Sequence, residues 1–117
     1  MASNPKDEVE RFLADFKQKL DIWGFFIRTD RGKNFETMKQ LEYSVEDVKK
    51  ELGELELSHY SEGPLKETLY KGANMWVFGK MVQSKEVYIK ISLGQPGDKV
   101  LFHSFHFAEH SMKYPYK

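Results

Sequence analysis

From residue 7 the chain sets Val9, Phe12, Leu13, Phe16 and Leu20 at spacings of three and four, with polar residues between them. That is the period of a helix with one apolar face, and Asp7 and Glu8 suit its positive end, so the pattern predicts a first helix over 7–20. Ile22, Trp23, Phe25, Phe26 and Ile27, broken only by Gly24, form an apolar run too short for another helix. They read as a buried strand ending at Arg28. A turn follows at 29–33 (TDRGK), then a brief helical stretch over 35–41. Ser44 with Asp47 three residues later resembles a capping box, and Val45, Val48 and Leu52 continue the helical spacing. The second main helix is therefore expected over 45–52, with Gly53 as its stop. Residues 58–74 mix Gly, Pro, Ser and charge and read as a long excursion, with room for one helical turn at 65–70.

After Asn74 the period shortens to two. MWVFGKMV, EVYIKISL and KVLFHSFHF are three strand-like runs joined by QSK and by GQPGD, both of hairpin length, so the end of the chain is an antiparallel meander. The class is α+β: helices packed on one face of a small antiparallel sheet, the early strand joining the meander, in a single domain over 1–117. Along the middle run Val87, Ile89, Ile91 and Leu93 alternate with Glu86, Tyr88, Lys90 and Ser92, and the first set is the core face. MWVFGKMV separates Trp76, Phe78 and Lys80 from Met75, Val77, Gly79 and Met81. The last run separates Phe102, Ser104 and His106 from Leu101, His103, Phe105 and Phe107, and the second set, being more apolar, is expected in the core.

Composition narrows the setting. The 117 residues contain no Cys, which excludes a disulfide framework and fits a reducing compartment, with the cytoplasm as the default. No apolar run approaches the 18 or so residues of a membrane span, and the first residues lack the basic and apolar regions of a leader. Net charge is zero, yet residues 1–70 hold 11 basic against 15 acidic side chains and residues 71–117 hold 7 against 3. The basic portion is the sheet-forming one, and it also carries three of the four His, which suits a polyanionic partner.

If the polar sets share a face, Lys80, Tyr88, Lys90 and His106 gather there with Trp76 and Phe78 beside them. Ammonium groups stabilise charge building on a phosphoryl group, while a phenol or an imidazole moves protons. Exposed aromatic rings stack unpaired bases. This is the chemistry of a single-stranded RNA site, and the same alternation also describes the solvated side of an ordinary strand. Asp30, Arg31, Lys33 and Asn34 suit a phosphate held at a turn ahead of a helix, and equally a solvated turn capped by Asn34. His103, His106, Glu109 and His110 invite a metal reading, but a strand turns His103 and His106 opposite ways, so no metal is expected. His103 reads instead as a core or boundary residue with a hydrogen-bonded ring. His110 and Glu109 fall at the rim of the site.

The succession RGKN at 31–34, YSEGP at 60–64, WVFGK at 76–80, VYIKI at 87–91 and SFHFAEH at 104–110 resembles the motility quorum-sensing regulator (MqsR) family of toxins, in a variant branch with a similar SFHxAEH and YP tail. The likeness runs from about residue 9 onward. It implies a RelE-like α+β fold that cuts messenger RNA as an mRNA interferase and is held inactive by a cognate antitoxin. The Tyr and Lys of the family's VYxKI strand fall on Tyr88 and Lys90. A basic residue of the final strand falls near His106, and Lys80 substitutes for a loop lysine by proximity alone.

The expected function is a metal-independent endoribonuclease of a type II toxin–antitoxin pair, needing no cofactor. Tyr88, Lys90, His106 and Lys80 are its catalytic candidates, and Trp76, Phe78, Arg31, Lys33 and His110 its RNA-binding ones. The rivals are a binding module for RNA or protein on the same fold, and a metal hydrolase built on His106, Glu109 and His110.

Overall fold

The computed structural model describes residues 5–27, 32–66, 74–94 and 97–117. Helix α1 (Pro5–Trp23) carries Val9, Phe12, Leu13, Phe16 and Leu20 on its buried face, the stripe its spacing predicts. It also takes in Ile22 and Trp23, so the early strand β1 is shortened to Phe25–Ile27, and the run is not the buried strand expected: Ile22, Trp23 and Phe26 stand exposed and Ile27 alone of the five is buried. Helix α2 spans Gly32–Leu41 and helix α3 spans Val45–Gly53. The capping box of α3 is formed: the Asp47 amide donates to Ser44 Oγ and the Ser44 amide to the Asp47 carboxylate. A single 3₁₀ turn at Leu57–His59 leads into β2 (Tyr60–Leu65), a strand lying inside the stretch read as an excursion. The meander follows as β3 (Met75–Val82), β4 (Lys85–Ser92) and β5 (Val100–Phe107). The helical turn expected at 65–70 lies largely outside the described residues.

The strand order is β1, β5, β4, β3, β2. All neighbours are antiparallel except β1 and β5, which run parallel, so the sheet is mixed and not purely antiparallel. A helix-containing path must separate two parallel neighbours, and here most of the chain lies between them. β3 and β4 are joined by Gln83 and Ser84, both at positive φ (51° and 67°), the two-residue turn whose twist matches a hairpin.

The helices cover one face. Phe12 stacks on Trp76 with centroids 4.7 Å apart, and Phe16, Phe78, Ile89, Ile91 and Phe105 are sealed in one core with Val48 and Leu52 of α3. β1 is too short to pair with the far end of β5, and α2 takes its place. The amide of Phe105 donates to Asn34 Oδ1 at 2.9 Å and that of Phe107 to Thr37 Oγ1 at 3.2 Å. Asn34, expected as a solvated cap, is instead a buried acceptor for the Phe105 amide, and Thr37 does the same for that of Phe107. Among the described residues no helix is long and apolar enough to cross a membrane.

Candidate functional site

Directly opposed residues on antiparallel strands put their side chains on one face, so register decides which groups can meet. Val87, Ile89 and Ile91 face the helices, and they oppose Lys80, Phe78 and Trp76. That corrects the expected grouping: Trp76, Phe78 and Lys80 lie on the helix-covered side, away from Tyr88 and Lys90. Trp76 and Phe78 are 8% and 0% exposed and pack in the core, so neither presents a ring to a nucleic-acid base. Lys80 bonds Glu51 at 2.9 Å and lies 3.5 Å from Glu54, its side chain 11% exposed, so its charge is spent on α3. Both parities of MWVFGKMV are apolar, and alternation alone could not choose between them. The heavier aromatic set opposing the Val87, Ile89 and Ile91 face was the signal available.

The helix-free face carries two rows across the sheet. One holds Gly79, Tyr88 and His106, and the next holds Glu62, Val77, Lys90 and Ser104. Tyr88 and His106 stack with centroids 5.2 Å apart and planes 14° apart. The Lys90 ammonium lies 5.9 Å from the centre of the Tyr88 ring. The expected meeting of phenol, imidazole and ammonium on one side of the pleat is therefore present. His106 Nδ1 lies 3.0 Å from the carbonyl oxygen of Phe107. A carbonyl only accepts, so Nδ1 carries a proton, and in the neutral ring the lone pair belongs to Nε2.

A bulge sets the rest of β5. Lys90 opposes Ser104 but Ile91 opposes Phe102, leaving His103 as the extra residue. The parity flips there: Phe102 joins Phe105 in the core, while Leu101 and His103 leave the core set they were assigned to. His103 Nε2 lies 3.1 Å from Ser92 Oγ, the hydrogen-bonded boundary role expected of it. The bulge also removes the expected opposition of His103 and His106, since Ser92 and Tyr88 belong to the same alternating set of β4. Even so, among the described residues no three His, Asp or Glu side chains converge as metal ligands.

Above these rows lies an open groove of about 560 Å³. Val77, Tyr88, Lys90, Ser104 and His106 line it from the sheet, Ser61 and Glu62 from β2, and residues 109–113 from the segment beyond β5. His110 is an exposed member of that wall. Lys33 sits on α2 outside the groove and is paired with Glu109 at 2.6 Å, both well exposed. That hydrogen bond and charge, with smaller help from His106 and His110, hold the Glu109 carboxyl below its usual range. Arg31 lies outside the described residues. The motif reading passed over Glu62, Ser104 and Lys113, whose part in the groove depends on a strand hidden in YSEGPL and on how the chain returns after β5.

Among the described residues the molecule is thus an α+β protein of three helices and a five-stranded mixed sheet, with a polar groove over the sheet face that carries Tyr88, Lys90 and His106. No protein-family model, curated protein or solved structure matches the chain.

Proposed function

We propose that this chain is a metal-independent endoribonuclease acting on single-stranded RNA, and that it serves as the toxin of a toxin–antitoxin pair. The observation that carries the reading is the stacked Tyr88 and His106 pair with the Lys90 ammonium beside it, half-buried on the floor of the groove. The likeness to MqsR toxins supports it from the sequence side, because the VYxKI positions Tyr88 and Lys90 face into this groove. Messenger RNA as substrate and an antitoxin as partner follow from that likeness.

In the reaction, Nε2 of neutral His106 removes the proton of a ribose 2′-OH as its oxygen attacks the adjacent phosphorus. The Lys90 ammonium balances the charge gathering on the phosphorane oxygens. The bond to the 5′-oxygen breaks, the Tyr88 hydroxyl supplies the proton it needs, and the products end in a 2′,3′-cyclic phosphate and a 5′-OH. Lys80 and Trp76 have no part in this scheme.

Labelled single-stranded RNA incubated with the protein in EDTA tests it. Discrete fragments with cyclic phosphate ends are expected, and deoxy substitution at the single scissile ribose blocks that cut. His106→Ala lowers the cleavage rate by about 10²-fold or more, the usual worth of a positioned proton carrier. RNA left intact, or a deoxy substrate cut as fast as RNA, overturns the proposal; retained binding without cutting would favour the binding module.

A further inference from the structure

Gly79 sits under the wall of the groove, and the ends of two side chains of that wall occupy the space where a Cβ would be. A Cβ on Gly79 would lie 2.5 Å from the Tyr114 hydroxyl and 2.7 Å from the Met112 sulfur. The segment carrying those two residues is fixed at successive strands. The amide of Ala108 donates to the Glu86 carbonyl at 2.9 Å, and the Tyr114 hydroxyl donates to the Glu86 carboxylate on β4 at 2.6 Å. Met112 and Tyr114 then rest on Gly79 of β3, and the Tyr116 ring stacks on Tyr60 at the start of β2, 5.4 Å between centroids. Burial and the Glu86 carboxylate both push the Tyr114 phenol above its usual range, so it remains a donor into the alkaline range where a free phenol ionises.

Between the anchors at Ala108 and Tyr114 the chain has no regular structure, yet Glu109 to Lys113 form one wall of the groove. We propose that residues 108–117 are a strap built for binding, with Tyr114 as its positioning residue, holding His110 and Lys113 over Tyr88 and Lys90 so that a single-stranded RNA threads between strap and sheet. The nature of the ligand rests on the function proposed above; the strap itself rests on its anchors. An irregular segment would otherwise lose backbone entropy on ordering, and the pre-formed wall removes that cost from the binding step.

Two variants loosen the strap while leaving the groove floor intact. Gly79→Ala introduces a Cβ that the ends of the Met112 and Tyr114 side chains must move to clear, and Tyr114→Phe deletes the bond to Glu86 while keeping the ring. Hydrogen exchange of peptide 108–117 is measured together with the affinity for a fully 2′-O-methylated single-stranded RNA, which has no 2′-OH to attack and so is not cut. Protection of the peptide in the parent protein is expected, with its loss and about tenfold weaker RNA binding in both variants. An unprotected peptide in the parent, or variants that lose protection yet bind RNA as tightly, overturns the strap. Strap-dependent binding by a parent protein that never cuts RNA would sink the nuclease reading and leave this inference standing.

Discussion

At the scale of residues, the site and the core are separated by one step of strand parity. Tyr88 and Ile89 are neighbours in sequence, yet one stacks on an imidazole under open groove and the other is fully buried. Trp76 shows the consequence most plainly. With Phe12 stacked on it and 8% of its surface exposed, it is a packing residue. Truncating it to alanine leaves a cavity and lost transfer energy, together about 3 to 5 kcal/mol. Urea unfolding of Trp76→Ala should show that loss, while the folded fraction binds RNA as the parent does; a selective loss of RNA binding at unchanged stability would return the residue to the site. What the residue pattern made legible was the Tyr88 and Lys90 face, because β4 alternates cleanly. What it hid was the partner set on β3, where both parities are apolar, and the flip on β5, because one extra residue at His103 puts Leu101 and Phe102 on the opposite faces from those that alternation back from Phe105 assigns them.

At the scale of elements, helices were easy to read and edges were not. The three-and-four spacing of α1 and the capping box of α3 are local signals that tertiary packing only reinforces. β2 carries Gly, Pro and charge because it is an edge strand with one side open, and those residues look like loop. The replacement of β1 by Asn34 and Thr37 along β5 has no local signature at all, since the donors are amides about 70 residues away. The docking of α3 onto the sheet is where pH enters. Burial alone would raise the Glu51 carboxyl, but hydrogen bonds from Tyr43 and Lys80 outweigh it and hold the group below its ordinary 4.5. Burial, then the charge of Lys80, pushes the His59 ring below its ordinary 6.5, and its Nδ1 accepts the Glu56 amide at 2.9 Å. In both cases the folded protein binds protons less readily than the unfolded chain, so stability is present above the unfolded pKa and is lost as pH falls through it toward the folded value. Acidification should therefore lower the urea midpoint first below about 6.5 and again below about 4.5. His59→Asn keeps an acceptor and should flatten the first decline, and Glu51→Gln should reduce the second. Unchanged slopes in both variants would show that these contacts do not couple to folding.

At the scale of the whole molecule, a neutral chain has little long-range field with which to gather a polyanion, so any affinity for RNA must come from cations brought close by the fold. The groove does this locally. Lys90 comes from β4 and Lys113 from beyond β5, and both line the same space, while Lys80 and Lys33 are turned to carboxylates. Glu62 and Glu109 also border it, which keeps the net charge of the site small and ties phosphate binding to position more than to sum. Each phosphate neutralised on a single strand releases counterions and adds about 0.7 to the slope of log affinity against log salt. Two lysines in contact predict a slope of about −1.4, shallow beside that of a strongly basic nucleic-acid binder. Lys113→Gln should halve it, and Lys80→Gln should leave it unchanged while weakening the hold on α3. Titrations of 2′-O-methylated RNA between 50 and 300 mM salt read both effects directly. A parent slope several times steeper, or one that Lys80→Gln reduces and Lys113→Gln does not, would mean that RNA meets a different face of the protein.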